Sequence, residues 1–148
     1  MAANKLNLLL KLEQDKEEQL KANFAQAQQH LSINQQKLAG LNDFRLEYTT
    51  QLHGKAQTGL SSGGFNQYHN FINKIEQAIA QQSTTVNTAK QVVEQRRKLW
   101  LEQQAKTKAI EKLIEKQQLA HQAKLAKAEQ KMLDEFATNQ FVRRPSVW

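Results

Sequence analysis

The chain of 148 residues carries 21 Lys and Arg against 14 Asp and Glu, a formal net charge of +7, with no cysteine and one proline. Those counts exclude a disulfide framework and a thiolate metal site. Apolar residues make up 39%, below the ~45–50% usual in a compact globular domain, so the material suffices for a narrow seam but not for a thick core. No stretch approaches the ~18 apolar residues that a membrane span needs.

At the start, a short apolar run is interrupted by Lys5 and Asn7. It lacks the continuous apolar region and small-residue cleavage site of a secretory signal, and the chain reads as cytosolic. Gln, Ala, Lys, Glu and Leu dominate the remainder, and proline is absent before Pro145. These residues lose little rotamer freedom in a helix, and nothing forces a break. With Leu10 set as position a of a heptad, the a positions run Ala3, Leu10, Glu17, Phe24, Leu31, Leu38, Arg45, Leu52. The d positions run Leu6, Glu13, Leu20, Ala27, Asn34, Leu41, Tyr48. Eleven of these fifteen are apolar, counting Ala, which predicts one coiled-coil helix over about 3–53.

Residues 54–63 interrupt the pattern with Gly54, Gly59 and Gly63, and Gly64 comes directly after. This reads as a turn with Ser61 or Ser62 as N-cap. It is not a phosphate loop, because no strand precedes it and no Gly-Lys-Ser/Thr comes after it. A second seam begins at once. Its a positions are Phe65, Ile72, Ile79, Val86, Val93, Trp100, Thr107 and Ile114, and its d positions are Tyr68, Ile75, Gln82, Ala89, Arg96, Gln103 and Ile110. Beyond Ile114, Leu125, Ala128, Met132 and Phe136 fit only after a stutter of four residues.

Two seams around a short turn bury each other by folding back. The predicted fold is therefore all-α: a long two-helix antiparallel coiled-coil hairpin with an overhanging C-terminal helix segment. It forms one domain over 1–148, with helix 1 at about 3–53, a turn at about 54–63, helix 2 at about 64–139 and a tail at 140–148. Fifty helical residues predict a rod of about 75 Å. A fold about residue 59 sets Leu6 near Lys112 and leaves everything past about Gln118 without a partner.

His30, His53, His69 and His121 stand far apart without a carboxylate pattern, and read as surface residues rather than metal ligands. Carboxylates pair with Lys at i+4, as in Glu94 with Lys98 and Glu102 with Lys106, which supports helices weakly. No catalytic constellation emerges. The chain reads as non-enzymatic, with neither cofactor nor metal. Arg45, Gln82, Arg96 and Gln103 occupy seam positions and read as register determinants. The surplus charge lies in residues 61–148, where 14 basic residues meet 8 acidic ones. It admits a nucleic-acid-binding hairpin as an alternative, although the second helix lacks the interleaved aromatics of a single-strand binder. Phe136, Phe141, Val142 and Trp148 leave two readings of the C-terminus, a docking segment or a frayed end.

Phe44 and Phe71 fall at g positions, which face each other in an antiparallel pair. With Leu41, Tyr48, Ile75 and Ala78 they widen the apolar surface near the turn. Two readings stand: a thickened core, or an exposed patch that accepts a partner.

The stretch Leu38-Ala-Gly-Leu41-Asn-Asp-Phe44-Arg-Leu-Glu-Tyr48 resembles the FliJ family of flagellar export proteins, as does Asn66-Gln-Tyr68-His-Asn-Phe71-Ile-Asn-Lys-Ile75-Glu-Gln-Ala78-Ile79. So does the late Lys131-Met-Leu-Asp134-Glu135-Phe136-Ala137. The resemblance implies a cytoplasmic component of the flagellar type III export apparatus, peripheral on the inner membrane through its partners. Those partners are the export ATPase ring, the cytoplasmic domain of the export gate and export chaperones, with no nucleic acid. It also implies a gate-binding surface at Leu41, Phe44, Tyr48, Phe71, Ile75 and Ala78, while Lys37 and Gln82 depart from the family's residues at its edges. The stalk protein of a virulence-type secretion system is the alternative within this class.

Overall fold

The computed structural model describes residues 2–59 and 61–143, with side chains from Asn4 to Val142 apart from Leu60. Ala3 as a seam side chain and Trp148 as a docking residue lie outside the described residues. Two helices account for nearly all of the rest: α1, Ala2–Gln57, and α2, Ser62–Arg143. They pack against each other as a hairpin, and no strand occurs among the described residues.

Both helices run further than the heptads predict. Gly54 is helical, because one glycine costs only about 1 kcal/mol against alanine and Lys55, Ala56 and Gln57 carry the helix on. The chain turns at Gly59, whose φ of +93° lies in the left-handed region that side chains disfavour. Thr58 N–H donates to the Lys55 carbonyl and closes the last turn of α1. Across the turn, Ser61 acts as N-cap: its Oγ accepts from Gly64 N–H at 3.2 Å, while its carbonyl accepts from Phe65 N–H at 2.9 Å. At the far end, residues 140–143, expected as tail, continue α2.

Contacts gather into two compact units. One is Lys16–Gln103 and the other is Met1–Asp15 with Gln104–Trp148. In the first, every expected a and d residue from Glu17 to Leu52 is buried or half-buried, and the rest of α1 over that span is exposed except Asn23 and Asn42. On α2 the deepest apolar positions are Ile75, Val86 and Ala89, at 5%, 4% and 3% exposure. Burying an aliphatic side chain such as Ile75 or Val86 contributes about 1.5–3 kcal/mol. Two expected seam positions depart from the pattern. Arg96 is exposed, although Arg45 at the matching kind of position on α1 is half-buried. Phe65 is 40% exposed; it lies in the first turn of α2, where its ring meets His69 edge-on at 4.5 Å.

Polar residues set the register. Asn34 is 6% exposed. Its Oδ1 and carbonyl accept from Gln82 Nε2 at 2.9 and 3.0 Å, and its Nδ2 donates to the His30 carbonyl at 2.8 Å. A slip of α2 by one residue would break the two bonds from Gln82 and leave the buried Asn34 Oδ1 unpaired, at about 1–3 kcal/mol. Phe24 stacks on Trp100 at 5.6 Å, and the indole Nε1 is buried without an acceptor. Glu94 meets Arg97 rather than the expected Lys98: Nε and Nη2 donate to the carboxylate at 3.0 and 2.7 Å. The planar fork suits both oxygens. That bond holds the Glu94 carboxyl below its ordinary pKa.

In the second unit, Leu6, Leu10 and Glu13 of α1 are half-buried, as are Gln104, Ile110 and Ile114 of α2. Thr107, at 2% exposure, donates to the Glu13 carbonyl at 3.4 Å. Protection ends at Ile114, four residues before the expected limit, and from Glu115 to Val142 every side chain is exposed.

The glycines make opposite predictions. Gly54 is helical with nothing within 4 Å of an added Cβ, so Gly54→Ala should raise stability by about 0.5–1 kcal/mol. Gly59→Ala should lower it by about 1–2 kcal/mol, the cost of a left-handed alanine. Urea unfolding of the two variants, followed by circular dichroism, checks both signs.

Candidate functional site

In the unit Lys16–Gln103, two heptads beyond Asn34 on α1 and two heptads before Gln82 on α2 stand Tyr48 and Tyr68. Their rings meet at 5.0 Å. The same register sets Leu41 opposite Ile75. Tyr48 also packs on Phe71 at 4.7 Å, Phe44 meets Phe71 edge-on at 6.3 Å, and Phe44 lies 6.2 Å from Tyr48. Four rings thus form one cluster, each within the 4.5–7 Å at which aromatic pairs attract.

Burial within the cluster is graded. Ile75 is the floor at 5% exposure; Leu41, Tyr48, Tyr68 and Ala78 are half-buried; Phe44 and Phe71 are 44% and 41% exposed. The gradient comes from heptad position. Ile75 at d points into the seam, while the g positions of Phe44 and Phe71 lie on its shoulder. Of the six residues named from the sequence, Phe44, Tyr48 and Phe71 are joined by ring contacts, and Phe44 and Phe71 present open ring surface.

Sequence reasoning missed two members. Tyr68 was placed in the seam but not in the patch, although its position opposite Tyr48 was legible. Lys55 lies in the segment read as turn. Because α1 continues through it, its Nζ donates to the Tyr68 hydroxyl and sits 5.1 Å from that ring's centroid. The hydrogen bond to Tyr68, with the nearby phenol charges, holds the Lys55 pKa above its ordinary value. The patch is apolar with one cation at its turn end. Among the described residues no group of three or more His, Cys, Asp or Glu could hold a metal ion, and no helix is long and apolar enough to cross a membrane.

The family profile described as "Flagellar FliJ protein" matches residues 1–146. A flagellar FliJ protein of Escherichia coli (strain K12) is 30% identical over 111 residues, covering 75% of this chain and 76% of that protein. One from Salmonella typhi is 29% identical over 111 residues, with the same coverage of each. No solved structure matches.

The ring contacts separate holding from display. Tyr48 joins three ring pairs, so Tyr48→Ala should cost about 2–3 kcal/mol. The more exposed Phe44 should cost below about 1 kcal/mol as Phe44→Ala. Thermal unfolding of both variants measures the difference, and equal losses would count against the gradient.

Proposed function

The chain belongs to the FliJ family and is a component of flagellar protein export; on that premise we propose that it binds the export ATPase ring and links it to the export gate. The observation that carries the gate contact is the pair Phe44 and Phe71, whose rings brace each other edge-on while staying 44% and 41% exposed. Rigid aromatics that offer area at small entropic cost are common anchors at interfaces. Leu41, Tyr48, Ile75 and Ala78 belong to the same surface, and the half-buried and buried members hold the two rings in place. The gate's cytoplasmic domain is the partner assigned to this patch.

The ATPase ring is assigned to the other unit, where the start of α1 lies along α2 and lysines are frequent. Export chaperones complete its set of partners. No catalytic step, metal or cofactor enters this reading. The protein acts in the cytoplasm, on the inner face of the membrane through its partners.

The test is binding of the purified gate domain by calorimetry. Phe44→Asp with Phe71→Asp should weaken it at least tenfold, an ordinary loss for two anchors, while the helical circular dichroism stays at the level of the unaltered protein. Unchanged affinity in the folded double variant would remove the patch from the interface.

A further inference from the structure

Twenty-eight residues of α2, Glu115 to Val142, lie beyond the cover of α1 with every side chain exposed. Leu119, Leu133, Phe141 and Val142 are scattered around this stretch, but its other large apolar residues are ordered. Leu125, Met132 and Phe136, at 57%, 70% and 61% exposure, succeed one another at spacings of seven and four and share one face with Ala128. The same spacing earlier in α2 is covered by α1. We infer that this stretch pairs with its own copy in a second molecule, the two running antiparallel.

Three observations choose that occupant and that direction. The first is size. Antiparallel pairing sets Leu125 against Phe136 of the second copy and Ala128 against Met132, small beside large, as close packing requires. Both pairs share a centre near residue 130.

The second is length. With that centre, the exposed residues from about Gln118 to Val142 all find a counterpart in the second copy. About 25 paired residues exceed the ~12–15 below which helices are marginal in water.

Charge is the third. Residues 116–127 hold Lys116, Lys124 and Lys127 with no acid, whereas 128–137 hold Glu129, Asp134 and Glu135 with one lysine. Lys124 and Glu135 lie on the same flank of the stripe. Antiparallel coiled coils bring like flanks together, so each Lys124 meets Glu135 of the second copy, twice by symmetry.

The pairing is independent of the gate-binding patch, which lies in the other unit. Sedimentation velocity of the full chain from about 1 to 200 µM, a range that brackets micromolar association, should show a monomer–dimer equilibrium. Met132→Lys, at a position 70% exposed, should weaken it at least tenfold without loss of helicity. Lys124→Glu should also weaken it, and Lys124→Glu with Glu135→Lys should restore it. The chain has no cysteine, so single spin labels are clean. Gln130→Cys should give a short inter-label distance and Gln118→Cys one of about 36 Å, at 1.5 Å per residue on each side of the centre. A chain that stays monomeric, a dimer indifferent to Met132→Lys, or short distances at both labels would each overturn the inference.

Discussion

What the two helices bury against each other is one stripe apiece, and the hairpin is a consequence of laying those two stripes together. The faces outside the seam are mostly Gln, Lys, Glu and Asn, which have no use for an apolar neighbour. Helix propensity alone would leave both segments fraying in water, since tertiary packing supplies most helical stability. The seam is thin: among the described residues, only Ala27, Leu52, Ile75, Val86 and Ala89 are buried apolar side chains. A thin seam holds a register poorly by apolar contact, because sliding one leucine past another costs little. Asn34 and Gln82 supply what the aliphatic residues lack, since their hydrogen bonds close in one alignment only.

The same thinness explains the aromatic patch. In a bundle of three or more helices, a g residue finds a second neighbour to cover it. A pair of helices offers none, so Phe44 and Phe71 can lean only on each other and on Tyr48. Their open faces are a geometric result of having two helices, and they become useful because the rings below them are fixed. Holding and display fall to different residues within one turn of helix.

How much of this the sequence declared depends on the kind of signal. Heptad phase declared the seam nearly position by position, because a period of 3.5 residues constrains burial wherever the helices are paired. It failed at Arg96 and at Phe65, the latter at the very start of its helix. The turn was located by its glycines, but glycine count cannot say which residue bends. Gly54 and Gly63 remain helical, and only Gly59 takes the positive φ. The meeting of Phe44, Tyr48 and Phe71 was legible from their g and seam positions. Lys55 was not, because its contact with Tyr68 exists only once α1 is extended past the expected end. The hydrogen bonds of Asn34 were hidden too, since a polar residue at d announces no partner until both helices are aligned.

The tight reversal at Gly59 also orders events in time. Lys55 and Tyr68 are 13 residues apart in the chain, whereas Thr107 and Glu13 are 94 apart. Closing a small loop costs less entropy than closing a large one, and each layer formed shortens the loop that the next must close. The ring cluster beside the reversal is thus the cheapest place to nucleate, and pairing then advances away from it like a zipper. The layers around Glu13 and Thr107 close last and, by the same reasoning, open first.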